Sequence, residues 1–251
     1  MSAESNEKAT VRFETMPGKQ GQVDWAFFED CLVYEDGKWK KLYCFIMVLG
    51  YSRMRYIEFV TDMSTNTLIR CHQNAFQYFG RYPEEILYDN MKQVVIKRLL
   101  KQEDSTRNRQ FEDFAGFYGF KPVLCRPYRR QTKGKVERTV RFVRDNFMVG
   151  IKYESLADLN GKALAWCNKV NGKVHATTNE VPFEMLKKES LNPLHRISYQ
   201  KKDRVVNPQH YRQLTLKQTM DAENALIKQD RVIDFPLKPS DLSRYDEVLH
   251  E

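Results

Sequence analysis

Apolar and polar positions first fall into a regular order at Gln22-Val-Asp-Trp-Ala-Phe-Phe28, an extended run rich in aromatic and β-branched residues. Lys41-Leu-Tyr-Cys-Phe-Ile-Met-Val-Leu49 is almost wholly apolar, the pattern of a strand covered on both faces. Met54-Arg-Tyr-Ile-Glu-Phe-Val60 follows after a short turn, and Glu35-Asp-Gly-Lys38 separates the first two runs, so the three predict an antiparallel meander. After Thr61-Asp-Met63 the period lengthens. Leu68, Cys71, Ala75, Phe76 and Phe79 recur at helical spacing, with Ser64 or Thr65 to cap the start and Gly80 to end it. Pro83 to Asp89 predicts a short strand running out into Asp89-Asn90. Asn108 to Gly119 predicts a helix with Phe111, Phe114, Ala115 and Tyr118 on one face, and Lys121 to Arg126 a strand stopped by Pro127. Lys133 to Met148, carrying Val136, Val140, Phe142, Val143 and Phe147, and Leu156 to Val170 predict two more helices. Strands first, then alternating helices and strands, describe an α/β layer built on a mixed sheet.

The flanks differ. Residues 1–17 are polar, show no periodicity and end in a turn-like Met16-Pro-Gly-Lys19, which predicts a tail. Beyond Pro182 the chain contains no glycine and is punctuated by Asn192-Pro, Asn207-Pro, Phe235-Pro and Lys238-Pro. A core over residues 18–186 is therefore expected, followed by a C-terminal appendage, residues 187–251, with weaker structure. In it Arg196-Ile-Ser-Tyr199 is weakly strand-like, and Gln218 to Asp230 could form a solvated helix.

A hydrophobic fraction of 41% over 251 residues is enough for a folded core. The longest apolar stretch, Tyr43 to Leu49, falls well short of the ~20 residues of a membrane helix. The N-terminus has no apolar leader, so a membrane or exported protein is not expected. Five scattered cysteines without a Cys-x-x-Cys, and five histidines without a His-x-x-x-His, predict reduced thiols, a cytoplasmic setting and no zinc module.

Charge is concentrated rather than spread. Ten basic residues and two acidic ones lie between Lys121 and Lys152, an excess of eight that equals the net charge of the whole chain. Such a stripe on an otherwise neutral protein fits a polyanion, whose condensed counterions are released on contact; a solvated basic helix face is the plainer alternative. Three carboxylates stand at informative places: Asp24 inside the first strand, Asp89 at the end of the strand after the first helix, and Glu137 just beyond the basic loop. With the first strand central, the strand after the first helix would pair beside it and bring Asp24 next to Asp89. Crowded carboxylates repel unless they share divalent cations, and hard oxygen donors suit Mg²⁺ or Mn²⁺. Each also has an ordinary reading: Asp24 on a solvated strand face, Asp89-Asn90 as a turn pair, Glu137 paired with Arg141 four residues on.

The wording of several segments is more specific than any of this. Gly21-Gln-Val-Asp-Trp25, Glu85-Ile-Leu-Tyr-Asp-Asn-Met-Lys92, Tyr118-Gly-Phe-Lys-Pro122 and above all Cys125-Arg-Pro-Tyr-Arg-Arg-Gln-Thr-Lys-Gly-Lys-Val-Glu-Arg138 resemble the catalytic core of IstA-type insertion-sequence transposases. These belong to the retroviral-integrase-like DDE superfamily. The likeness runs from about Gly18 to Leu186 and includes Trp166-Cys-Asn-Lys-Val-Asn171 and His175-Ala-Thr-Thr-Asn-Glu-Val-Pro182. It implies an RNase H-like fold, a mixed five-stranded sheet flanked by helices. It also implies that Asp24, Asp89 and Glu137 are catalytic and ligate two Mg²⁺ or Mn²⁺ ions. The implied activity is DNA strand cleavage at transposon ends, then transfer of the freed 3′-hydroxyl to target DNA. Arg126, Arg129, Arg130, Lys133, Lys135, Arg138, Arg141 and Arg144 would hold backbone phosphates, which position DNA without reading its sequence.

The resemblance further implies a homo-oligomer on DNA, a nucleoid-associated location and an AAA+ ATPase helper, which the family-like end Pro239-Ser-Asp-Leu-Ser-Arg-Tyr-Asp-Glu-Val-Leu249 could serve. Family members also carry an N-terminal helix-turn-helix region, whereas only 23 residues precede Asp24, and a small β-rich domain after the core. A truncated copy is the expectation, and a catalytically silent DNA-binding remnant is the alternative function. An RNase H-type nuclease fits less well, because the basic run around Glu137 matches transposases and no fourth carboxylate suggests itself.

Overall fold

The computed structural model describes residues 15–89, 91–97, 106–125 and 134–200. The meander forms as the pattern requires: β1 (Gln20–Glu35), β2 (Lys38–Leu49) and β3 (Arg55–Val60) pair antiparallel. Asp36 and Gly37 turn the first hairpin with φ of 51° and 75°, the paired positive values whose twist matches the strands on either side. Helix α1 (Thr65–Phe79) starts at Ser64, whose side chain accepts the Thr67 N–H, and stops at Gly80 in the left-handed conformation. The chain then enters β4 (Glu85–Tyr88), parallel to β1. Helix α2 (Arg109–Tyr118), capped by Asn108 and ended by Gly119, leads into β5 (Lys121–Leu124), parallel to β4. The sheet order is β3-β2-β1-β4-β5, so β1 is central and mixed in its pairing.

Alternation along β1 divides the molecule into two cores. Val23 and Trp25 face α1 and α2, where Phe45, Phe76, Tyr88, Phe111 and Phe114 pack. Ala26 and Phe28 face the opposite side, with Cys44, Ile46, Ile57 and Phe59, under α3 (Gly134–Val143) and α4 (Leu156–Asn171). Helix α3 continues through a π-helical turn, Arg144–Met148. Its buried seam is Val136, Val143 and Phe147 with Val140 beside them; Phe142 leaves that stripe and packs instead against Trp166, ring centroids 5.3 Å apart.

The outer edge of β3 is closed by side chains of α4. Asn171 Oδ1 accepts the Arg55 N–H at 3.1 Å while its Nδ2 donates to the Arg55 carbonyl at 2.8 Å. Asn160 does the same for Phe59, at 2.7 and 2.9 Å. Positions 55 and 59 point outward along the same edge, so two amides satisfy backbone groups that a further strand would otherwise take.

The segment after Pro182 is tied to the core as far as residue 200. Helix α5 (Pro182–Lys187) is followed by buried Glu189, which accepts the backbone N–H of Gly18 at 2.7 Å and of Ser52 at 2.9 Å. Gly18 has φ +72°, and a Cβ there would lie 2.0 Å from the Ser190 carbonyl oxygen, so glycine is required. Arg196–Tyr199 does not form the strand that its sequence suggested. The short pairing in this region is Asn192–Pro193 with Arg81–Tyr82, and Tyr199 packs on Phe114 with ring centroids 5.4 Å apart. The stretches around Gln218 and Pro239 lie outside the described residues. All five cysteines are free thiols, and among the described residues no helix is long and apolar enough to cross a membrane.

Candidate active site

Parallel pairing of β1 with β4 sets the first two carboxylates. Val23 lies opposite Tyr88 in the register, and both side chains enter the α1–α2 core. Each is followed by an acidic residue, Asp24 within β1 and Asp89 just past the end of β4, and alternation turns the Asp24 side chain to the α3 side of the sheet. Neighbouring strands are about 4.8 Å apart, so the β1–β4 pairing brings the two backbones close where β4 ends. Asp24 is half-buried, and its Oδ1 accepts the Trp25 N–H at 3.0 Å; Asp89 is exposed, and its carbonyl accepts the Met91 N–H at 2.7 Å. Tyr88 anchors the end of β4 from beneath. It is fully buried, and its hydroxyl meets His72 Nε2 at 2.8 Å.

The third carboxylate arrives on α3. Val136 is fully buried against the sheet, and its N–H donates to Gln22 Oε1 at 3.4 Å, two residues before Asp24 on β1. Glu137 follows it in the first turn, exposed, where a negative charge interacts favourably with the helix dipole. The Glu137–Arg141 ion pair that its spacing allows is not formed. Glu137 instead lines an open groove of about 430 Å³ with Arg138, Arg141, Phe142, Asp145 and Asn146. The donors offered by Asp24, Asp89 and Glu137 are hard carboxylate oxygens, the chemistry Mg²⁺ prefers. Among the described residues, however, no three carboxylate, imidazole or thiolate groups are drawn together into a ready cluster.

Of the basic residues expected on DNA, Arg126, Arg129, Arg130 and Lys133 lie outside the described residues, as does the side chain of Lys135. Arg138 and Arg141 are exposed along the groove. Arg144 turns back to the sheet: its Nη2 donates to the Phe27 carbonyl at 3.4 Å, and its guanidinium sits 5.9 Å from the centre of the Phe28 ring. Two features escaped the sequence reading. Gln22 lies inside the Gly21–Trp25 motif, but its bond to α3 spans 114 positions and leaves no local trace. Arg55, beside Phe142 at 5.0 Å, reaches the same region only through strand register.

Comparison with known proteins decides what carries this arrangement. Residues 14–130 match the integrase core domain family, a span that includes Asp24 and Asp89. A transposase assigned to insertion sequence element IS5376 of Geobacillus stearothermophilus is 44% identical over 191 residues, 76% of this chain and 47% of that protein. The chain carries an integrase core domain related to those of insertion-sequence transposases. A transposase for an IS21-like element of Bacteroides fragilis is 37% identical over 173 residues, covering 68% of this chain and 32% of its own length. That of IS21 from Pseudomonas aeruginosa is 34% identical over 191 residues, covering 74% and 48%. The chain thus spans about half the length, or less, of these curated relatives. The crystal structure of the catalytic core domain of BIV integrase superposes with a TM-score of 0.49 at 14% identity, covering 68% of this chain and 95% of that one. With the sheet order β3-β2-β1-β4-β5, the integrase core has an RNase H-like fold.

Proposed function

We propose that this integrase core is the catalytic part of an insertion-sequence transposase, cutting DNA at transposon ends and transferring the freed 3′-hydroxyl to a target phosphodiester. The observation that supports the reading is the β1–β4 register, with Val23 opposite Tyr88, the residues that directly precede Asp24 and Asp89. In this reading Asp24, Asp89 and Glu137 are the catalytic carboxylates and hold two Mg²⁺ or Mn²⁺ ions. Such ions, when bound, lower the pKa of the attacking water or hydroxyl and stabilise the leaving oxygen. The protein's own part is placement. In this reading the β1–β4 pairing brings the two aspartates near one another, Gln22 ties the first turn of α3 to β1, and Arg138 and Arg141 hold phosphates beside the reacting strand. A homo-oligomer on DNA and an AAA+ ATPase helper are the partners this activity would take.

The test is metal-dependent nicking and strand joining on a short DNA duplex, with Asp89→Asn as the matched control. Joining that disappears in the control supports the reading. Tight DNA binding with no cutting by the unaltered chain, at any Mg²⁺ or Mn²⁺ concentration, would overturn it in favour of a silent DNA-binding remnant.

A further inference from the structure

Beyond the three carboxylates, the α3 side of the sheet carries a second concentration of charge. Gln22 pairs with Val48 and Val48 with Arg55, so these three form one row across β1, β2 and β3. Gln22 and Val48 face α3, and Arg55 does too, its guanidinium stacked on Phe142 at 5.0 Å. Two strand spacings across and two residues along put Arg55 about 12 Å from Asp24, by ordinary sheet dimensions. Arg55 is 8% exposed, and its Nε has no hydrogen-bond acceptor. Among the described residues it forms no ion pair. Its pKa is lowered by burial, and no carboxylate opposes that effect.

His175 stands in the same field. Its backbone N–H donates to the Glu180 carbonyl at 2.9 Å, and its own carbonyl accepts the N–H groups of Thr178 and Asn179. Its Nδ1 accepts the Thr177 N–H at 3.2 Å, which leaves Nε2 as the N–H donor. Burial, then Arg55, Arg53 and Arg138, depress its pKa to about 4. Three guanidinium groups from the β2–β3 turn, from β3 and from α3 thus act on one imidazole. A buried cation without a counter-charge is costly, and the cost is removed when an anion arrives. Arg138 and Phe142, on whose ring Arg55 stacks, line the groove next to Glu137, the surface the substrate would use.

We propose that Arg55, Arg138 and His175 form a phosphate-binding subsite, which holds one phosphodiester of the DNA strand about two nucleotides from the reacting bond. The nucleic-acid part of this inference rests on the proposed transposase function; the anion site itself does not. Guanidinium groups suit a phosphate because they present several N–H donors in a plane, and Phe142 fixes the plane of Arg55.

The full chain is titrated with inorganic phosphate at constant ionic strength while the His175 imidazole signals are followed by NMR. A saturable shift is expected in the unaltered chain and in Arg70→Gln, an exposed position on α1, and is expected to vanish in Arg55→Gln and Arg138→Gln. Arg138 is exposed, so its variant keeps the test open if Arg55→Gln does not fold. In parallel, DNA affinity should fall about tenfold or more in the two cluster variants, the effect of losing a charge-assisted hydrogen bond. The log–log salt slope should shrink by about 0.7–0.9, one phosphate contact. A phosphate response with unchanged DNA affinity would overturn the assignment to a DNA strand. No phosphate response, together with equal DNA losses in Arg70→Gln and Arg138→Gln, would overturn the subsite. Neither result bears on the nicking assay with Asp89→Asn, which judges the proposed function separately.

Discussion

Gln22 and Val136 join the strand that carries Asp24 to the helix that carries Glu137: the side-chain oxygen of one accepts the backbone N–H of the other at 3.4 Å. Val136 is the third residue of α3, and the first N–H groups of a helix have no acceptor within it. A strand residue therefore caps the helix, and the cap ties the helix that carries Glu137 to the strand that carries Asp24. Replacing Gln22 by Leu strands a buried N–H, which costs about 1–3 kcal/mol. Urea unfolding should show that loss, and metal-dependent nicking should fall further than stability alone accounts for. Full nicking activity in a destabilised Gln22→Leu chain would show that the bond serves the fold and not the site.

Asn171→Ala is expected to be among the costlier polar truncations in the molecule. Asn171 is fully buried, and its loss leaves both backbone groups of Arg55 without partners on the outer edge of β3. About 2–4 kcal/mol follows from two buried hydrogen bonds. Asn160→Ala, at a partly buried position, should cost less. The uncovered edge is also a template for another strand. Concentration-dependent association by light scattering should therefore appear in the double variant; its absence would mean that α4 shields the edge without the amides.

Much of this architecture is local in origin and can be read from the chain. Ser64, Gly80, Asn108 and Gly119 mark helix ends because capping chemistry is decided within a few residues. The near-continuous apolar run of β2 announces a strand covered on both faces. The pairing of the strand after α1 beside β1 was legible too, once the first strand was taken as central. What the sequence hides is register between distant segments. Arg55 joins the α3 surface because Val48 pairs with both it and Gln22, and His175 joins because the chain returns there after α4. Phe142 misled for a related reason: its spacing is close to helical, yet the seam runs through Val136, Val143 and Phe147 and leaves it on the groove.

Acid should weaken the fold through His72. The imidazole is fully buried, and the Leu68 carbonyl, 2.7 Å from Nδ1, can only accept, so Nδ1 carries the proton and Nε2 accepts from the Tyr88 hydroxyl. Burial depresses the pKa from 6.5 to about 4. The folded chain therefore binds the proton less readily than the unfolded one; the stabilisation is complete above pH 6.5 and is lost as pH falls toward 4. A shift of that size corresponds to about 3 kcal/mol. Urea unfolding at pH 7.5 and pH 4.5 should show the loss in the unaltered chain and a smaller one in His72→Gln, with His175→Gln removing the share of the second depressed histidine. An identical acid loss in all three chains would place the sensitivity elsewhere. Because Tyr88 precedes Asp89, the same protonation should loosen the end of β4 before the chain unfolds.

Glu137→Gln separates chemistry from structure more cleanly than either aspartate. Glu137 is exposed and forms no ion pair among the described residues, so its amide should leave stability within about 0.5 kcal/mol. DNA binding should persist and even tighten slightly, since one negative charge leaves the groove that Arg138 and Arg141 share with it. With ~5 phosphate contacts, the log–log dependence of affinity on salt should have a slope near −4 to −5 in both chains. Metal-dependent cutting, by contrast, should be lost in the variant, because an amide is a far weaker ligand for a divalent ion than a carboxylate. Equal cutting by Glu137→Gln would remove Glu137 from the catalytic set, and a flat salt dependence would remove the basic stripe around it from the DNA interface.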